Sequence, residues 1–186
     1  MLKRLTPVLA LIGACWIVFA VNLVFWQGHL NQYGIVPRHV WSLPGILWSP
    51  FLHESLRHLT ANTLPLLILG GILCARSRVE FMEVAMGGIV LGGGLTWLLA
   101  RSGCHIGASG LVFCLFGYLA SLAFFRRTIG TFLISLICIF LFWGILRGIL
   151  PTASAVSWEG HAAGLVTGIG LAWSAPKPKS GRKTAD

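Results

Sequence analysis

Acidic side chains are nearly missing from this chain. Only five of its 186 residues are Asp or Glu, and charged residues of both signs make up 10%, against about 25% in ordinary soluble domains. A disordered chain is excluded, because 56% of the residues are hydrophobic and disorder needs the opposite balance. Despite a net charge of +9, a basic nucleic-acid-binding domain is excluded by the same composition, and no nucleic acid partner is expected. Paired cysteine spacing is also absent. Cys15, Cys74, Cys114 and Cys138 lie inside apolar runs, where a thiol behaves as a small hydrophobe. Only Cys104 falls in a predicted loop, so neither a disulfide framework nor a Cys-based zinc site follows.

What the chain does have is apolar length. A mean hydropathy of +0.82 with so little charge makes lipid the solvent. The length suits one membrane domain over residues 1–186, with no room for a separate soluble domain. A spanning helix needs about 20 mostly apolar residues. Six segments qualify, at about Val8–Trp26, Ser55–Ala75, Val84–Ala100, Gly107–Phe125, Ile129–Ile149 and Trp158–Ala175. The fold class is therefore an all-α, polytopic membrane bundle of six transmembrane helices. Lys3 and Arg4 before the first run, with Ala20 inside it, also resemble a signal peptide. Cleavage there would leave an odd number of spans, so the segment is read as a retained helix.

Charge sets the predicted orientation. With the N-terminus inside, the inner segments hold Lys3, Arg4, Arg76, Arg78, Arg126, Arg127, Lys177, Lys179, Arg182 and Lys183, ten of the fourteen basic residues. The outer segments hold Arg38, Arg57, Arg101 and Arg147, the other four. The positive-inside rule then gives N-in, C-in, with membrane lipid as a partner of the basic inner face. The basic tail, 176–186, reads as a solvated end. One connection, 27–54, is long and outer. Trp41, Leu43, Ile46, Leu47, Trp48 and Phe51 make it apolar, while Pro37, Pro44 and Pro50 forbid one continuous helix. It is expected in the headgroup region, as a surface anchor or as a structured cover.

Polar residues within spans are costly and are functional candidates by default. Here they fall at one level. The second span opens with His58 and Asn62, the fourth with Gly107-Ala-Ser109-Gly110, and the sixth with Trp158-Glu-Gly-His161. All three spans run from outside to inside, so these residues share a shallow outer depth. His58 and Asn62 are four apart and about 40° apart around a helix. Each piece alone has a structural reading: a pair tying helices together, a Ser capping a Gly-rich turn, a buried His bonded to a carbonyl. Gly164 and Gly168 form a small-xxx-small face that would carry His161 toward Ser109 if the sixth helix packs on the fourth. A His105–Ser109 pair, also four apart, is the local alternative, although Gly107 and the helix boundary lie between them. His53-Glu54-Ser-Leu-Arg-His58 is one residue too long for an H-E-x-x-H zinc site: five residues place the two His about 140° apart. No metal or other cofactor is predicted.

These residues together resemble the rhomboid family of intramembrane serine proteases, in its minimal six-span bacterial form. The likeness runs from Gly34 to Trp173 and rests on Gly34-Ile-Val-Pro-Arg38, His58-x-x-x-Asn62, Gly107-Ala-Ser109-Gly110 and Gly160-His161-x-x-Gly164-x-x-x-Gly168. The resemblance implies a serine endopeptidase of a bacterial cytoplasmic (inner) membrane. Ser109 would be its nucleophile and His161 its general base. His58, Asn62 and the Ser109 backbone N–H would form the oxyanion site, with no third acid. Its substrates would be transmembrane segments of other membrane proteins, cut near the outer face and admitted laterally past the fifth span. No oligomeric state is assigned. Two features depart from the family pattern: the outer loop lacks the Trp-Arg pair of many members, and Phe113 stands where an aromatic hydroxyl is common. A catalytically silent relative that binds client membrane proteins is the alternative. A small transporter of inverted repeats is a second, without a visible match between the halves or a charged mid-membrane path.

Overall fold

The computed structural model describes residues 2–151 and 156–175. The basic tail therefore lies outside the described residues. The architecture is helical, and the only strand-like pairing among the described residues is one antiparallel bridge between Ile35 and His105. Six longer helices are labelled in chain order: α1 Leu2–Trp26, α2 Leu56–Arg76, α3 Arg78–Leu99, α4 Ser109–Arg126, α5 Ile129–Phe142 and α6 Trp158–Ser174. Among the described residues, five helical stretches are long and apolar enough to cross a membrane: α1, α2, α3, α4, and α5 with its 3-10 continuation to Ile149. The segment expected as a sixth span holds the 17-residue helix α6, which is not among those five.

Local chemistry explains the boundaries. Pro7 in α1 removes a backbone donor, and the Thr6 hydroxyl donates instead to the Lys3 carbonyl that loses it, at 3.0 Å. Ser55 caps α2 by accepting from the His58 N–H. Ser77 closes α2 and opens α3, where it accepts from the Glu80 N–H. The third helix thus begins at Arg78 rather than near Val84, six residues earlier than hydropathy suggested, because a cap outweighs the polar first turn. A π-helical segment, Gly88–Gly92, interrupts α3, and a Cβ at Gly88 would press into Cys114 and Leu111.

The central post is α4. Of its 18 residues 56% are buried, against 17% of the most apolar windows of α1 and of α5 with its continuation. Leu111 through Leu119 are all buried, around a core that includes Leu66, Leu69, Leu73, Val84 and Cys138. On one side α5 is tied to it by Ser135, which donates to the Leu119 carbonyl at 2.8 Å and accepts from the Ala123 N–H. On the other, α6 lies backbone against backbone. A Cβ at Gly164 would collide with the Gly110 carbonyl, and one at Gly168 with the Cys114 carbonyl. This is close approach through small residues, which membrane helices use in place of a hydrophobic driving force. At the far end of α4, Glu80 accepts from the Tyr118 hydroxyl and pairs with Arg126 at 2.8 Å and Arg76 at 2.9 Å.

Candidate active site

The segment 27–54 is a chain of short turns, not a span. It exposes Val40, Trp41, Leu43, Leu47 and Trp48, while Ile35, Ser49, Leu52 and His53 are buried. It is both apolar surface and structured cover. Ile35 exchanges both backbone hydrogen bonds with His105, at 3.0 and 2.8 Å, and the Ser49 carbonyl accepts from the Gly107 N–H at 2.8 Å. Arg38 fixes the cover to the end of α3 by donating to the Ala100 carbonyl at 2.8 Å.

Gly107 is not part of α4 but lies two residues before it, with φ +109°, a conformation in which other residues are strained. A Cβ there would strike the His58 ring and come within 3.6 Å of the Asn62 amide nitrogen. Gly107 thus brings the backbone leading into Ser109 against two of the polar residues of α2. Ser109 is the first residue of α4, where N–H groups lack intrahelical partners.

His161 lies in the first turn of α6. Its Nε2 is 2.8 Å from Ser109 Oγ and its Nδ1 is 2.9 Å from the Gly148 carbonyl oxygen. A carbonyl only accepts, so Nδ1 carries the proton in the neutral ring and Nε2 accepts from the Ser109 hydroxyl. Phe113, one turn into α4, stacks on the imidazole with centroids 4.3 Å apart and planes 9° apart. Glu54 is exposed. Glu159 pairs with Arg101 at 3.3 Å. The ring's Nδ1 therefore meets a main-chain acceptor and not a carboxylate.

One neighbour was missed by sequence reasoning, which weighed His53 only as a failed zinc ligand. His53 is buried, and its Nδ1 is 3.3 Å from the Phe51 carbonyl. Its Nε2 is then the acceptor, for the Asn62 amide at 3.2 Å and the Ala108 N–H at 3.4 Å. Burial, with the nearby His58 as a lesser cause, pulls its pKa from 6.5 down to about 4, so it stays neutral near pH 7. The signal that could have found it was its place just before the Ser55 cap. Neither does His105 bond Ser109: it turns to Ser157, at 2.6 Å. Among the described residues no three His, Cys, Asp or Glu side chains converge on one point.

Long apolar helices around a small polar cluster at one end of the central helix define the class: an integral, multi-pass helical membrane protein. A model of the Rhomboid domain matches residues 37–177, and the chain belongs to the rhomboid family. It is similar to an uncharacterized protein of Mycobacterium bovis, 33% identical over 94% of this chain and 77% of that one. An uncharacterized Mycobacterium tuberculosis protein shows the same figures. Another, from Mycobacterium leprae, is 35% identical over 73% of this chain and 58% of its own length.

Proposed function

We propose that this chain is an intramembrane serine endopeptidase with Ser109 as nucleophile and His161 as general base. One observation carries the reading: Ser109 Oγ lies 2.8 Å from a His161 nitrogen whose ring partner is already committed to the Gly148 carbonyl. That is the tautomer a general base needs. In the first step Oγ forms a bond to the substrate carbonyl carbon while its proton passes to His161 Nε2. The oxyanion meets the Ser109 N–H and the side chains of His58 and Asn62. Asn62 spends one amide N–H on His53 and keeps a second to donate. As the C–N bond breaks, His161 returns the proton to the leaving amine. Water, activated by the same imidazole, then releases the acyl group.

A cavity of about 50 Å³ beside Ser109, lined also by Ser49, Thr96, His105 and Ser157, has room for a few waters. It supports hydrolysis inside an apolar bundle. The substrates would be transmembrane segments of other membrane proteins, cut near the outer face of a bacterial inner membrane, with six spans arranged N-in, C-in. The positive-inside count and the 17-residue α6 support that topology.

The test is cleavage of a helical membrane substrate in liposomes, with N-terminal sequencing of the product. Ser109→Ala should abolish turnover and His161→Ala nearly so, each by about 10⁴–10⁶ in rate. Full activity of a folded Ser109→Ala protein would sink the proposal.

A further inference from the structure

A second Ser–His pair is formed by residues four positions before the first in both segments. His105 precedes Ser109 by four residues, and Ser157 precedes His161 by four. The two elements therefore meet at two rungs: His105 Nδ1 to Ser157 Oγ at 2.6 Å, and Ser109 Oγ to His161 Nε2 at 2.8 Å. The residue types are exchanged between rungs, yet each pair spans 52 positions. The His105–Ser157 rung also ends on a carbonyl, since His105 Nε2 is 3.0 Å from the Arg101 oxygen. That acceptor leaves His105 Nδ1 to accept from the Ser157 hydroxyl. Ser157 Oγ in turn accepts from the Gly160 N–H, as the cap of α6. The hydrogen bonds run in one direction, from Gly160 through Ser157 and His105 to Arg101.

This rung is anchored on both sides. The His105 backbone is clamped to Ile35, and Arg101 reaches across to Glu159 and to the Val156 carbonyl at 2.8 Å. The His105–Ser157 hydrogen bond thus ties the segment before α4 to the cap of α6, beside the Arg101 contacts to Glu159 and Val156. His105 and Ser157 also line the cavity beside Ser109.

We propose that His105 and Ser157 are positioning residues: their hydrogen bond sets the register in which the first turn of α6 meets the start of α4, and so holds His161 Nε2 on Ser109 Oγ. Neither touches the reacting atoms. The proposal rests on the Ser109–His161 reading above.

The experiment measures the second-order rate of Ser109 labelling by a fluorophosphonate probe, kcat and KM for a membrane substrate, and the thermal midpoint, all on the full chain in liposomes. The variants are His105→Phe, His105→Gln, Ser157→Gly, Ser157→Thr and the double His105→Phe/Ser157→Gly. Gly replaces Ser at a helix cap at little cost, so Ser157→Gly removes the rung and spares the helix. The expected result is labelling and kcat about 10–100-fold lower for His105→Phe and Ser157→Gly. KM should stay unchanged and the midpoint close to that of the parent. Ser157→Thr and His105→Gln, which keep a hydroxyl or an amide at the rung, should recover most of the rate. The double variant should be no slower than either single one. Parent-like labelling of the two disruptive variants would overturn the rung, as would losses that multiply in the double variant or that follow the fraction unfolded. If the unsubstituted chain itself shows no Ser109-dependent labelling or cleavage, the dyad reading fails first, and the rung with it.

Discussion

His53 and Asn62 show how a single side chain prepares another. The Asn62 amide is held by His53 Nε2 at 3.2 Å, and only a neutral ring can accept there. Protonation would turn that acceptor into a donor facing two donors. Between about 6.5 and about 4, the unfolded chain takes a proton that the folded one refuses. Stability is therefore fully present above pH 6.5 and falls as pH drops through that window. Thermal midpoints measured from pH 7 to pH 4 should decline, and His53→Gln, which cannot titrate, should flatten the slope. A parent-like slope in that variant would remove His53 as the cause. If His58 and Asn62 each supply one oxyanion donor, His58→Ala and Asn62→Ala should each slow turnover by about 10²–10³, and unchanged kcat in both would exclude that role. Residues at this scale were unequally legible. The meeting of Ser109 with His161, and of Gly107 with His58 and Asn62, could be anticipated because helical spacing and a shared depth are visible in one dimension. His105 could not be assigned between Ser109 and other partners, because the positive φ of Gly107 breaks the spacing rule between them. A carbonyl partner for His161 could be anticipated, but not that Gly148 supplies it, since a main-chain oxygen has no residue type to read.

Among the helices, those that carry the pair meet through missing side chains. A methyl group at Gly164 would collide with the Gly110 carbonyl, so Gly164→Ala must separate α4 and α6 next to the Ser109–His161 pair. Overpacking of this kind costs about 1–3 kcal/mol. A lower thermal midpoint together with slower fluorophosphonate labelling is the expected outcome, and a protein unchanged in both would mean that the seam gives way elsewhere. A Cβ at Gly148 would sit 2.9 Å from Phe113 and 3.0 Å from His161 Nδ1. Gly148→Val should therefore reduce labelling of Ser109 by tilting the imidazole, with far less effect on unfolding, since the turn it occupies borders the core. Helix positions were largely readable from apolar runs. The start of α3 was not, although Ser77-x-x-Glu80 is a recognisable capping pattern. Hydropathy averages over a polar first turn and places the boundary too late.

Across the whole molecule, the two paired acidic residues among the described ones, Glu80 and Glu159, sit at opposite ends of the bundle. Glu80 joins α3 to α4 at one end through Tyr118 and Arg126, and Glu159 joins α6 to Arg101 near the other. Glu80 and Arg126 are both mostly buried, with 13% and 11% of their side-chain surface accessible. Glu80→Gln leaves two guanidinium groups without their shared anion, and breaking such a pair costs roughly 3 kcal/mol. Unfolding in detergent should register that loss while kcat of the folded fraction in the proposed reaction stays near the parent value, because the Ser109–His161 pair lies at the other end of α4. A large fall in kcat at full folding would mean that the two ends are coupled. The composition could announce the scarcity of anions but not their pairing, which depends on which helices become neighbours. The seam between α4 and α6 has one more consequence. Glycine set on a carbonyl has no rotamers to lose on folding and none to regain on heating. The distance between Ser109 and His161 should therefore expand less with temperature than the loops around it, so that warming would loosen access to the pair before it loosened the pair itself.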